Sequence, residues 1–269
     1  MARPRAAVVL FALLVTAATS ARAELPSNFE ITLQSDNFPP FNMAPNASNF
    51  ARGDEVQGIS SATVREIFKR AGIAYSLTLR APWSRLYDQT RQQANHGLFS
   101  VARTEQNAAL FKWVGPLAHH DSVLLALPAR GLAFTHLEQA KGYAIGGHSH
   151  GSVSLYLESQ GMKSDDSLSD AENLRKLLGG RIDLWAVADP VWRYHARLQG
   201  VGEDELQVVL NFRHEPLYLA LSPSTPDEAV ERLQRALEEV IGEGYAGCSD
   251  TPELCYLIQD RGKALATAR

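Results

Sequence analysis

The stretch 56–79, VQGISSATVREIFKRAGIAYSLTL, decides the architecture. Ile59, Ala62, Val64, Ile67 and Phe68 recur at helical spacing, and Gly72 stands where a helix would be capped. Tyr75 to Leu79 then alternates as a strand. Upstream, Phe29-Glu30-Ile31-Thr32-Leu33 alternates in the same way and runs into a Pro-rich loop from Asp36 to Phe41. Downstream, Trp83 to Gln93 reads as a second helix and Gly97 to Ala102 as a third strand. Strands alternating with helices at this interval predict a largely parallel sheet covered by helices. The grammar then repeats on a new sheet. Ser122 to Leu127, Tyr143 to Ile145 and Arg181 to Ala188 read as strands, and Val153 to Gln160, Ala171 to Leu178 and Pro190 to Leu198 as helices. Pro216 to Ser222 is strand-like, and Pro226 to Ile241 is a strongly periodic amphipathic helix.

The N-terminus predicts the compartment. Arg3 and Arg5 precede an apolar run from Ala6 to Ala18, which ends at Ala21-Arg22-Ala23, the pattern of a signal peptide cut after Ala23. That run is well short of the roughly 20 residues needed to span a bilayer, so no membrane insertion is expected. With no cysteine near the cut to carry a lipid, residues 24–269 are expected in a periplasm, as a monomer. Cys248 and Cys255 lie close together, and an oxidising compartment predicts a local disulfide between them. A metal site there lacks a His at ligand spacing. A net charge of −4 with both signs interspersed gives no footprint for nucleic acid, so the expected partner is a small polar solute.

No phosphate loop, nucleophile elbow or paired-His zinc helix is present, and no cofactor is implied. The candidates are polar and aromatic residues at the C-terminal ends of the predicted strands, where open α/β sheets take ligands. Asp36, Phe38 and Phe41 follow the first strand, as cleft residues or as a turn Asp with two core rings. Trp83 and Arg85 follow the second, with core burial the other reading for the Trp. Ser100, Arg103, Thr104 and Asn107 follow the third and offer donors to an anionic group, or simply cap the next turn. Ser152 and Val153 open a helix whose free N–H groups suit a carboxylate, although a plain cap fits as well. Asp189 ends the strand before Pro190 and can receive an ammonium or cap the following helix. His119, His120 and Asp121, with His148 and His150, would make a metal site if they converged on one cleft; neither spacing is diagnostic.

Taken in order, several segments resemble the extracellular solute-binding proteins typified by the periplasmic amino-acid-binding components of ABC importers. They are Asp36-Asn37-Phe38-Pro39-Pro40-Phe41, Ala81-Pro82-Trp83-Ser84-Arg85, Arg103-Thr104-Glu105 leading to Phe111-Lys112-Trp113, Gly151-Ser152, and Gly180-Arg181-Ile182-Asp183-Leu184-Trp185-Ala186 ending in Asp189. The resemblance implies a two-lobed α/β clamp, each lobe an open, mostly parallel sheet flanked by helices, joined by two crossover hinge strands. Lobe one would comprise 24–121 plus 217–269, and lobe two 122–216. It implies that Phe38 and Trp83 pack on the ligand, that Ser100, Ser152 and Val153 hold a carboxylate, and that Asp189 holds an ammonium. It departs at Asn107, where the family carries a carboxylate-clamping Arg; Arg103 or Arg85 would have to substitute from a neighbouring turn. The function implied is capture of an amino-acid-like solute for an ABC permease, with no catalysis. A ligand-sensing subunit for a membrane signalling protein is the main alternative, and a dehydratase-like enzyme or a metal-binding protein a lesser one.

Overall fold

The computed structural model describes residues 24–243, apart from 46, 47, 49 and 150. The signal segment and the Cys248–Cys255 pair therefore lie outside the described residues.

The stretch 56–79 folds as its pattern predicts. Strand β1 (Glu30–Ser35) buries Ile31 and Leu33, and helix α1 (Ile59–Ala71) buries Val64, Ile67 and Phe68. The helix ends on Gly72 at φ 64°, a left-handed cap that glycine adopts without a Cβ penalty. Strand β3 (Ala74–Leu79) then lies parallel to β1 from Glu30↔Ala74 to Ser35↔Leu79. On the other side of β1 lies β4 (His96–Ala102), also parallel, reached through helix α2 (Trp83–Gln92). A two-residue strand, β2 (Ala51–Arg52), touches the far edge of β3. Helix α6 (Asp227–Gly242) packs beside α1, and its Leu233, Leu237 and Val240 share one apolar cluster with Ile31, Phe68 and Phe99. Burying each such side chain is worth roughly 1.5–3 kcal/mol.

The middle of the chain builds the second half. Strand β6 (Ile145–His148) is parallel to both β7 (Asp165–Ser167) and β8 (Leu184–Asp189). Helices α3 (Ser152–Ser159), α4 (Asp170–Leu178) and α5 (Val191–Leu198) cover them. Every residue of β8 is buried, including all of Trp185, as expected of a strand enclosed on both faces.

Two findings modify the sequence reading. The segments read as strands at 122–127 and 216–222 are parts of two 15-residue strands, β5 (Lys112–Ala126) and β9 (Gln207–Leu221), which pair antiparallel. Most of each was illegible because Gly115-Pro116 and the run His119-His120-Asp121 break the apolar alternation of β5, and Asn211 to Glu215 breaks that of β9. The expected second sheet is also not separate. Through β9 and β5 the strands join into one ladder, β2-β3-β1-β4-β9-β5-β8-β6-β7. The fold is a two-lobed α/β clamp, with β5 and β9 running through the apolar clusters of both halves.

Candidate functional site

The loop after β1 is fixed before any ligand arrives. Ile59 N–H donates to the carbonyl of Pro40, and Ser60 and Ser61 N–H donate to that of Phe41, so the loop caps the start of α1. Gly58 makes this possible: its φ is 108°, and a Cβ there would sit 2.5 Å from the Phe41 oxygen. Behind the loop, Asn42 Nδ2 donates to Ser35 Oγ at 3.1 Å and to the Asp36 carbonyl at 2.5 Å, and Ser100 Oγ donates to Asn42 Oδ1 at 2.5 Å. Ser100 holds a positive φ of 61°, unusual for a residue with a side chain, at a break in the β4–β9 register.

These bonds aim Asp36 and Phe38 at the other half of the molecule. Phe38 stacks at a tilt on Phe41, ring centres 5.0 Å apart, and meets His120 of β5 edge-on at 6.1 Å. Burial pushes the Asp36 carboxyl up to about 6, against the opposing pull of its own backbone hydrogen bond and of the His148 charge. His148 ends β6, so this attraction runs between the two halves. Its Nδ1 donates to Asp170 Oδ2 at 2.9 Å, and that bond, with the charges of Asp170, Asp36 and Asp166, raises the His148 pKa despite partial burial. His195 on α5 is shifted the other way, lowered first by burial. Tyr194 beside it packs on Met43 and Ile59, a second contact between the halves.

The other sequence candidates divide. Asp189 is 2% exposed and accepts from Arg193 Nε at 3.2 Å, so its charge already has a partner. Ser152 is exposed and Val153 buried in the first turn of α3, with Gly151 as N-cap. Trp83 is half-buried against Leu86, Leu98 and Phe111. Arg85 is exposed. Three of the candidate donors to an anionic group already have partners within the protein. Asn107 Oδ1 accepts from Thr104 N–H at 2.8 Å and its Nδ2 donates to the Ala102 carbonyl at 2.9 Å. Arg103 lies over the Trp113 ring at 5.7 Å, and the Ser100 hydroxyl serves Asn42. An Asn three to five residues from its partners caps its own turn, because its short amide reaches them more easily than a distant ligand.

Among the described residues, His119, His120 and His148 form no common site. The pleat of β5 sends neighbours to opposite faces. His119 stacks on His214 at 5.1 Å, while His120 is buried under the Phe rings with its Nε2 3.5 Å from Glu215 Oε2. Burial, with Arg213 close by, lowers the His120 pKa to about 4. His150 lies outside the described residues, and no group of three or more metal-ligating side chains converges among the described ones. Sequence reasoning missed Asp166, Asp170, Tyr194 and His195. The three-residue β7 gave no alternation from which to place Asp166 within it or Asp170 at the start of α4, and Tyr194 and His195 looked like ordinary helix residues.

No protein-family model matches the sequence, and no curated protein matches it. Solved structures share the fold. A histidine kinase sensor domain with similarity to periplasmic binding proteins gives a TM-score of 0.66 at 20% identity, over 80% of this chain and 91% of that one. The arginine-, lysine-, histidine-binding protein ArtJ from Geobacillus stearothermophilus gives 0.63 at 18%, over 85% and 99%. The substrate binding protein of an ABC uptake transporter from Streptococcus pneumoniae, with histidine bound, gives 0.65 at 15%, over 83% and 92%. At such identities the common ground is the fold, and residue roles have to be argued from the site itself.

Proposed function

We propose that this chain is a periplasmic solute-binding clamp that closes on a small polar, amino-acid-like ligand between lobe one (24–121 plus 217–269) and lobe two (122–216), without performing chemistry on it. The observation that carries the reading is the placement of Asp36, a partly buried carboxyl in the loop after β1 that faces His148 of β6 where the two halves meet. Closing the lobes over that charge is unfavourable until something cationic neutralises it, so a ligand ammonium or guanidinium couples binding to closure. Asp189 serves as a second anchor where a ligand cation displaces Arg193 from it, and Phe38 and Trp83 supply apolar faces. A ligand carboxylate, where there is one, rests on the N–H groups of Ser152 and Val153 at the start of α3. With Asn107 capping its own turn, Arg103 lying over Trp113 and Ser100 bonded to Asn42, lobe one favours the cationic end of the ligand.

Delivery to an ABC permease is the first reading, in keeping with the uptake-transporter likeness. A sensing subunit is the second, favoured by the likeness to a kinase sensor domain. A thermal-shift screen of amino acids, amines, sugars and divalent metals tests the common part, since a ligand that binds only the folded protein raises its melting temperature. Basic amino acids and amines should give the largest shifts, and Asp36→Asn should abolish them. A screen in which only neutral sugars stabilise the protein overturns the reading.

A further inference from the structure

We infer that the outer edge of β3, on the side of lobe one away from the cleft, is a docking groove for an extended acidic peptide segment of a partner protein, which adds to the sheet as a strand. Among the described residues, β2 covers this edge only at Thr78 and Leu79. Arg80 N–H donates to the Ser35 carbonyl of β1, and backbone groups of alternate residues point the same way, so Thr78 and Ser76 also face β1. Tyr75 therefore turns its N–H and C=O groups toward the opposite edge and Leu77 its N–H, while the Leu77 carbonyl is met by Gly53 in the Arg52↔Thr78 pairing; the groups left open are what a further strand pairs with.

The edge opens on a groove of about 600 Å³ whose charged lining is Arg52, Arg65 and Arg80 against the single carboxylate of Asp54. Arg52 lies over the Phe50 ring at 5.4 Å, and Phe50 is 50% exposed. Arg65 holds the Gly53 and Val56 carbonyls through one terminal nitrogen of a fork that carries five donors. Arg80 donates through one terminal nitrogen to Gln34 Oε1 at 3.1 Å and Gln89 Oε1 at 2.9 Å, and its Nε is buried without a hydrogen-bond partner. A surplus of guanidinium along an open strand edge calls for carboxylates spaced along an extended chain, because Arg grips carboxylate with its planar fork.

The test uses the full-length protein and a blocked octapeptide of alternating Glu and Val, followed by calorimetry and amide hydrogen exchange. Saturable binding is expected, with the Tyr75 and Leu77 amides exchanging freely alone and protected when the peptide is bound. N-methylation of alternate peptide residues should weaken binding at least tenfold, and so should Arg52→Glu, which alters an exposed side chain. Three results would overturn the proposal: no binding; equal affinity for the N-methylated peptide or full displacement by inorganic phosphate, which means charge attraction alone; or Tyr75 and Leu77 amides already protected in the free protein, which means the chain covers its own edge.

Discussion

At the residue scale, burial acts on Asp36 and His120 in opposite directions along the pH axis. The Asp36 pKa rises from 3.8 to about 6, so its contribution to stability is fully present below 3.8 and is lost as the pH climbs through 6. The His120 pKa falls from 6.5 to about 4, so its contribution is present above 6.5 and is lost as the pH drops through 4. Each is worth at most about 3 kcal/mol, and between pH 4 and 6 they largely cancel. Single variants should separate them. Relative to the parent, Asp36→Asn should gain up to about 3 kcal/mol in urea unfolding at pH 7.5 and almost nothing at pH 4, whereas His120→Gln should gain relative to the parent as the pH falls. Matching profiles for all three proteins would mean that neither side chain is desolvated. Asp189 is a different case because Arg193 already neutralises it. If a ligand cation competes for that carboxylate, Arg193→Met should tighten binding of basic ligands and Asp189→Asn should weaken it by about 2 kcal/mol. No change in either affinity leaves Asp189 as a partner of Arg193 only. Sequence could nominate Asp36, Phe38 and Asp189, since a polar residue after an apolar strand is a local pattern. It could not show that Asn107 and Ser100 serve neighbouring atoms, because that depends on a few tenths of an ångström of backbone placement.

At the scale of elements, the helices and short parallel strands were legible because each carries its own period, 3.6 residues on α1 and α6 and two on β1 and β3. The hinge strands were not. A strand that passes from one core, through a narrow waist, into another meets apolar surroundings only at its ends, and in β5 the waist contains Pro116, Ala118 and His119, none of them fully buried. Gly58 shows how one element positions another. Its φ of 108° and the 2.5 Å approach to the Phe41 carbonyl leave no room for a side chain, and that contact holds both the first turn of α1 and the loop carrying Asp36 and Phe38. Gly58→Ala should therefore destabilise the protein by about 3 kcal/mol, well beyond the loss at an ordinary exposed turn glycine. Near-surface Gly200, also at positive φ but with open space around it, is the control: Gly200→Ala should be milder. Equal losses at the two sites would mean that backbone strain alone, and not the packing of the loop on α1, sets the cost.

At the scale of the whole molecule, the proposed clamp makes the balance between open and closed forms the quantity that governs how tightly a ligand is held. The desolvated Asp36 carboxyl opposes closure. The contacts that favour it are His148 facing Asp36 and Tyr194 of α5 seated on Met43 and Ile59. Apparent affinity scales with the fraction of molecules already in the binding-competent form, so a residue that never touches the ligand can still set its affinity. Tyr194→Ala removes an apolar contact worth roughly 1–2 kcal/mol, which should weaken binding about 5- to 30-fold, while Tyr194→Phe keeps the ring and should bind as the parent does. Small-angle scattering gives the independent readout. The ligand-free alanine variant should be measurably more extended than the parent, and saturating ligand should return both to the same compact radius. An alanine variant with weakened affinity but an unchanged free-state radius would place Tyr194 in direct contact with the ligand, and the lobes would then be held together by β5, β9 and the charges of Asp36 and His148 alone.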